Sequence, residues 1–159
     1  MESKLEISVG EYVDQLRRVE IWIDGERLTG DDPFVYPEAF LTHLIRSRDH
    51  LKTELNFLKH EAELMGLGID DAFERVSSGN LHTTLRVLDW GPTTDDYLCF
   101  LLPIQSRLWL TWKRQRAPAK VRAIQILPYE LISAIEVAAD QLRNGDTGDC
   151  NGPLADTNK

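Results

Sequence analysis

The sequence predicts an α+β fold: a single domain with a mostly antiparallel sheet, packed with one long helix and a C-terminal helix. Three observations carry that expectation. Strand-like runs fall in groups before and after a long helical stretch, instead of alternating with helices along the chain. The connections are short, and one of them, Asp24-Gly25, is a strong two-residue signal for an antiparallel hairpin. The chain has 159 residues, enough to bury one sizeable core.

Taken in order, residues 19–24 ("VEIWID") alternate Val19, Ile21 and Ile23 against Glu20, Trp22 and Asp24, the period of a half-buried strand. "ERLT" returns after the Asp24-Gly25 turn as its partner. Upstream, Tyr12, Val13 and Leu16 suit either a short helix or another strand. The main helix is expected over residues 36–64, with Pro37 at its first position. Phe40, Leu44, Leu51, Leu55 and Leu58 give it an apolar face, and Gly66 and Gly68 end it. A short helix follows, with Asp70 and Asp71 near its positive N-terminus and Phe73 and Val76 inward. Four strands are expected near residues 81–88, 97–102, 107–113 and 121–127. The second of these is apolar on both faces and is expected to be central. Pro128 opens a last helix whose Leu131, Ile135, Ala139 and Leu142 share a face, and Gly145 stops it. The domain is thus expected over residues 1–144. Residues 145–159 have little to bury and read as a flexible polar tail.

Composition bounds the function class. The chain is 42% hydrophobic and 28% charged, ordinary for a globular protein. No apolar run approaches the roughly 18 residues that span a membrane. The first residues lack a basic start followed by a long apolar stretch, so a cytoplasmic protein is the expectation. Cys99 in an apolar run and Cys150 in the polar tail read as two reduced thiols. The formal net charge of −8 is unevenly spread. Between Tyr97 and Tyr129 there is no acidic residue and six basic ones, leaving 26 acids against 12 bases, or −14, for the rest. Such a body repels nucleic acid and membrane surfaces and attracts basic partners.

No motif carries catalysis. A phosphate-binding loop, a dinucleotide fingerprint, a nucleophile elbow and a calcium loop are all missing, so no enzyme activity and no cofactor are expected. "HEAEL" from His60 lacks the second histidine of a zinc protease helix. His43 and His50 lie on one helix face, about two turns apart, too far to share a metal. The adjacent acids Asp31-Asp32, Asp70-Asp71 and Asp95-Asp96 read as solvated turns or helix caps more readily than as a metal site. The basic "KRQRAPAK" lacks aromatic interleaving and reads as a solvated hairpin loop.

One stretch stands apart. "LDWGPTTDDYLCFLL", residues 88–102, sets Trp90 on a Gly-Pro turn among Asp89, Asp95 and Asp96. Two readings are open: Trp90 is an apolar anchor for a partner with the aspartates meeting basic groups, or Trp90 caps the core while the aspartates solvate the turn. Trp22, on the polar phase of its strand, and the acids Asp31 and Asp32 join the candidate partner-binding set.

"RVEIWIDGERLTGDD" leading into a helix, then "LDWGPTTDDYLCFLL", then a sheet ending in "IQILPYELISAIEVAADQL", resembles small bacterial immunity proteins of polymorphic-toxin and contact-dependent systems. The resemblance runs over roughly residues 17–143. It rests on the I-x-I-x-G hairpin, the W-G-P turn with its acids and the L-P-Y-E-L helix start. It implies a protein that binds a cognate toxin, itself basic, and blocks its active site or its access to substrate. An adaptor or chaperone holding an effector before secretion, and a small enzyme with an unlisted site, are the alternatives.

Overall fold

The computed structural model describes residues 4–53, 57–116 and 118–145. It is an α+β domain in which every strand pair is antiparallel. The first sheet holds β1 (Leu5–Val13), β2 (Leu16–Ile23), β3 (Glu26–Arg27) and β4 (Phe34–Val35), with β2 paired to all three others. The second is the meander β5 (Tyr97–Ile104), β6 (Arg107–Arg114) and β7 (Arg122–Ile126). Helices α1 (Pro37–Thr53), α2 (Ile69–Ser78), α3 (His82–Leu85) and α4 (Pro128–Asn144) complete it, with 3₁₀ segments at Phe57–Leu64 and Gly91–Thr94. Among the described residues no helix is long and apolar enough to cross a membrane.

The alternation read in residues 19–24 is what the sheet uses. Val19, Ile21 and Ile23 are fully buried, while Glu20 and Trp22 are half-buried on the opposite face. The undecided residues before them form a second, longer hairpin arm, because Leu5, Ile7 and Val9 continue the same period and face Ile23, Ile21 and Val19. Asp14 turns it at φ 56°, and Asp24 (φ 49°) with Gly25 (φ 80°) turns the next, the pair of positive φ values that a tight two-residue hairpin needs. Helix α4 lies over β1 and against α1, burying Leu131, Ile135, Ala138, Ala139 and Leu142. At its C-terminus Arg17 bridges the elements, donating to Gly10 O (2.6 Å) and to Gln141 O (3.3 Å). A side chain at Gly145 would run into that guanidinium.

The structure departs from expectation in three elements. The expected helix over 36–64 is helical only to Thr53; residues 54–56 lie outside the described set, and Phe57–Leu64 is 3₁₀. The tighter winding moves the buried face, so Phe57 and Leu64 are buried and Leu58 is exposed. Residues 81–88 are not a strand but the one-turn helix α3 and a single bridge from Arg86 to Phe100. Leu81, Leu85 and Leu88 stand four and three apart, a helical spacing that outweighs the β-propensity of Thr83 and Thr84. Finally, β6 and not β5 is the central strand of the meander. β5 is apolar on both faces because α2 and the Phe57–Leu64 segment both pack on it. The expected tail lies outside the described residues, apart from Gly145.

One acid ties the two sheets together. Glu26, on β3, accepts bonds from Tyr97 Oη (2.9 Å), Trp112 Nε1 (2.8 Å) and Arg122 Nη1 (2.6 Å), one donor from each strand of the meander. Arg122 also stacks over the Trp112 ring, 5.2 Å from its centroid, and reaches Asp24 at 3.4 Å. Burial alone would raise the Glu26 carboxyl, but the bonds from Trp112, Tyr97 and Arg122 outweigh it and hold the group below the ordinary carboxylate range. Burial likewise pushes the Cys99 thiol up to about 12, which makes it a small core hydrophobe and not a nucleophile.

A candidate partner-binding cleft

The stretch around Trp90 folds as a wound turn. Gly91 takes φ 81°, a conformation that glycine adopts without strain, and Pro92 sits at the start of the 3₁₀ turn. The Trp90 N–H donates to Thr94 Oγ1 (2.9 Å), and Thr94 Oγ1 donates to Gly91 O (3.3 Å). This turn swings the indole inward. Trp90 is 2% exposed, packs edge-on against Phe40 at 5.7 Å, and donates from Nε1 to Ser47 Oγ at 2.6 Å. It is therefore a core residue, and an indole so placed offers a partner almost no surface. The reading in which Trp90 caps the core describes its place, and the expected apolar anchor must come from elsewhere.

The same turn places its acids at the surface beside a second acidic loop. Gly30 N–H donates to Thr93 O (3.3 Å), and a Cβ on Gly30 would stand 3.2 Å from Asp96 Oδ2. The loops that carry Asp31-Asp32 and Asp95-Asp96, over sixty residues apart in the chain, are thus joined through Gly30. Asp31, Asp32 and Asp95 are exposed and, among the described residues, have no ionic partner. Asp32 Oδ1 accepts Phe34 N–H (3.2 Å), which fixes the carboxylate and leaves Oδ2 outward-facing bonds to make. Two acids are partly spent inside the molecule. Asp89 pairs with Arg86 at 3.4 Å, and Asp96 with Arg116 of the basic loop at 3.5 Å. Both pairs are solvent-exposed on at least one side and contribute little to folding.

Between the loops lies a cleft of about 290 Å³. Buried Phe40 and Trp90 form its base, and Asp32, Phe34, Tyr36, Ala39, His43, Pro92 and Thr93 line it. No lysine or arginine is among these residues. Tyr36 is 67% exposed, a large aromatic held at the rim by its place immediately before Pro37, where the chain enters α1. It was not among the residues singled out from the sequence. The available signal was "FVYP", an apolar triplet before a helix-opening proline, whose last member precedes the first turn of α1.

Trp22 does not line this cleft. It is half-buried on the outer face of β2, opposite Arg27 and Glu6, next to Glu20. Glu20 is held below its ordinary range chiefly by the bond from Arg18, against the opposing effect of burial. Arg18 bonds it at 3.0 Å and Arg27 at 3.3 Å, so this patch of the face is internally neutralised. The histidines are dispersed. His50 donates to Thr84 O (3.2 Å), His60 faces Glu63 (3.5 Å) and His82 packs edge-on against Phe100 at 5.2 Å. Among the described residues no group of three or more His, Cys, Asp or Glu side chains is arranged to hold a metal.

The fold and cleft define a class: an α+β domain with an acid-rimmed aromatic cleft. Comparison with family models, with curated proteins and with solved structures finds no match to this chain.

Proposed function

We propose that the chain is an inhibitory binding protein of the immunity type, which neutralises a basic secreted toxin through the acid-rimmed cleft. The observation that carries this reading is a cleft lined by Asp32 and an exposed Tyr36, set between the loops that carry Asp31 and Asp95, with all three acids exposed and without ionic partners among the described residues. Exposed aromatics such as Tyr36 are enriched among the hot spots of interfaces. Carboxylates so placed complement a cationic active site, and the net −14 outside the basic segment accelerates encounter with it. Inhibition follows if the bound chain covers the groups that a polyanionic substrate would use.

The test is a paired assay with the toxin domain encoded by the neighbouring gene. The chain is expected to bind it and to abolish its activity at equimolar amounts. Binding that leaves toxin activity intact would favour the adaptor reading instead, and absence of binding would overturn both.

A further inference from the structure

Resting on that reading, we infer that the cleft is a receptor for one arginine side chain of the partner. Three features of the cleft point to a guanidinium. The first is charge. Asp32 is the only acid among the lining residues, no lysine or arginine stands there, and one of its oxygens is already fixed by the Phe34 N–H. The second is a hydroxyl in the lining. Thr93 lines the cleft, and among the described residues no hydrogen bond within the chain engages its Oγ1, which leaves it open to a donor from outside. Its neighbour Thr94 is fully engaged with Trp90 and Gly91. The third is shape. Half-buried Phe34 and exposed Tyr36 line the space with aromatic rings, over a base of buried Phe40 and Trp90.

A guanidinium satisfies all three at once. It is planar, stacks on aromatic faces and carries five N–H donors in a fixed fork. One edge meets the Asp32 carboxylate and another the Thr93 hydroxyl. A lysine ammonium brings the charge as a compact, strongly hydrated point. It cannot reach separated acceptors or stack as a plane.

The experiment is an amide- and side-chain-resolved NMR titration of the full chain with N-acetyl-arginine-amide, N-acetyl-lysine-amide and N-acetyl-citrulline-amide. Citrulline keeps the planar shape and removes the charge. The arginine amide is expected to shift Asp32, Tyr36, His43, Thr93 and the Trp90 indole with millimolar affinity, the lysine amide more weakly, and the citrulline amide not at all. Asp32→Asn is expected to abolish the arginine shifts and Thr93→Val to weaken them several-fold, with the fold of each variant checked in the same spectra. Equal shifts from all three amides, shifts spread over the acidic surface, or none at these residues would overturn the inference. These outcomes are independent of the toxin assay. A chain that binds toxin but not arginine amide keeps the functional reading and loses this one, and the reverse result does the opposite.

Discussion

Glu26 and Asp32 are both acids beside a tight turn, six residues apart in sequence, yet the molecule uses them in opposite ways. Glu26 is surrounded by donors: Tyr97, Trp112 and Arg122 converge on its two oxygens and join the first sheet to the meander. Asp32 receives one backbone N–H and otherwise faces solvent at the mouth of a cleft. The difference lies in what the fold has already arranged around each carboxylate. Where the protein supplies the donors, the charge holds the structure together. Where it withholds them, the charge is left for a partner. The same contrast divides two aromatics at the cleft, since Trp90 is buried and hydrogen-bonded to Ser47 whereas Tyr36 stands in solvent.

The largest effect that would sharpen this contrast is on the buried side. Trp90→Ala removes an indole that is 2% exposed and is expected to cost about 3–5 kcal/mol of stability, read from chemical denaturation. A variant that unfolds like the parent would mean that the indole is not a core element. Next in size, Glu26→Ala strands the Trp112 N–H, on a residue 1% exposed, together with Tyr97 and Arg122. A loss of about 3 kcal/mol is expected from the same measurement. An effect below about 0.5 kcal/mol, the range of ordinary surface changes, would put Glu26 with the cleft acids.

Acid should act through the same group. Because the Glu26 carboxyl lies below its ordinary value in the folded chain, its contribution is full above the unfolded pKa, about 4.3, and is lost as pH falls through the folded value. Stability measured from pH 6 down to about 3 is therefore expected to fall, and to fall less steeply in Glu26→Gln. Parallel slopes in the two proteins would contradict the assignment. On the exposed side, Tyr36→Ala is expected to cost at least about 2 kcal/mol of affinity for the toxin domain while leaving the melting temperature unchanged. A lower melting temperature with normal affinity would reverse the division and make Tyr36 structural.

Much of the fold is legible in the sequence for one reason: period. The alternation at Val19, Ile21 and Ile23, the Asp24-Gly25 turn and the spacing of Leu131, Ile135, Ala139 and Leu142 each state which face is buried, and each does so in the structure. Period misleads where the chain is short or tightly wound. The four residues of α3 give a single helical turn, too short for its period to stand out in the sequence, and the 3₁₀ segment at Phe57–Leu64 has a repeat that a helical template reads one residue out of phase. Apolar residues on both faces predict a central place for β5, but helices can bury a strand as well as neighbouring strands can.

The cleft was legible only in part. Asp31, Asp32, Asp95 and Asp96 could be picked out as acids on turns, but the joining of their loops depends on the Gly30 to Thr93 bond, a contact with no local signature. Likewise, nothing in the residues around Trp90 distinguishes an indole facing out from one swung inward by Gly91 and Thr94. The anchor at the rim is Tyr36, whose exposure follows from how α1 begins and not from its own neighbours' chemistry.

The most direct test of the central claim, that the cleft acids serve a partner and not the fold, is one titration. Asp32→Lys combined with Asp95→Lys would be compared with the parent chain by isothermal titration against the toxin domain, with thermal melts of both. An affinity at least about tenfold weaker, from opposed like charges, is expected at an unchanged melting temperature. A folded double variant that binds with full affinity would contradict it and move the interface elsewhere on the molecule.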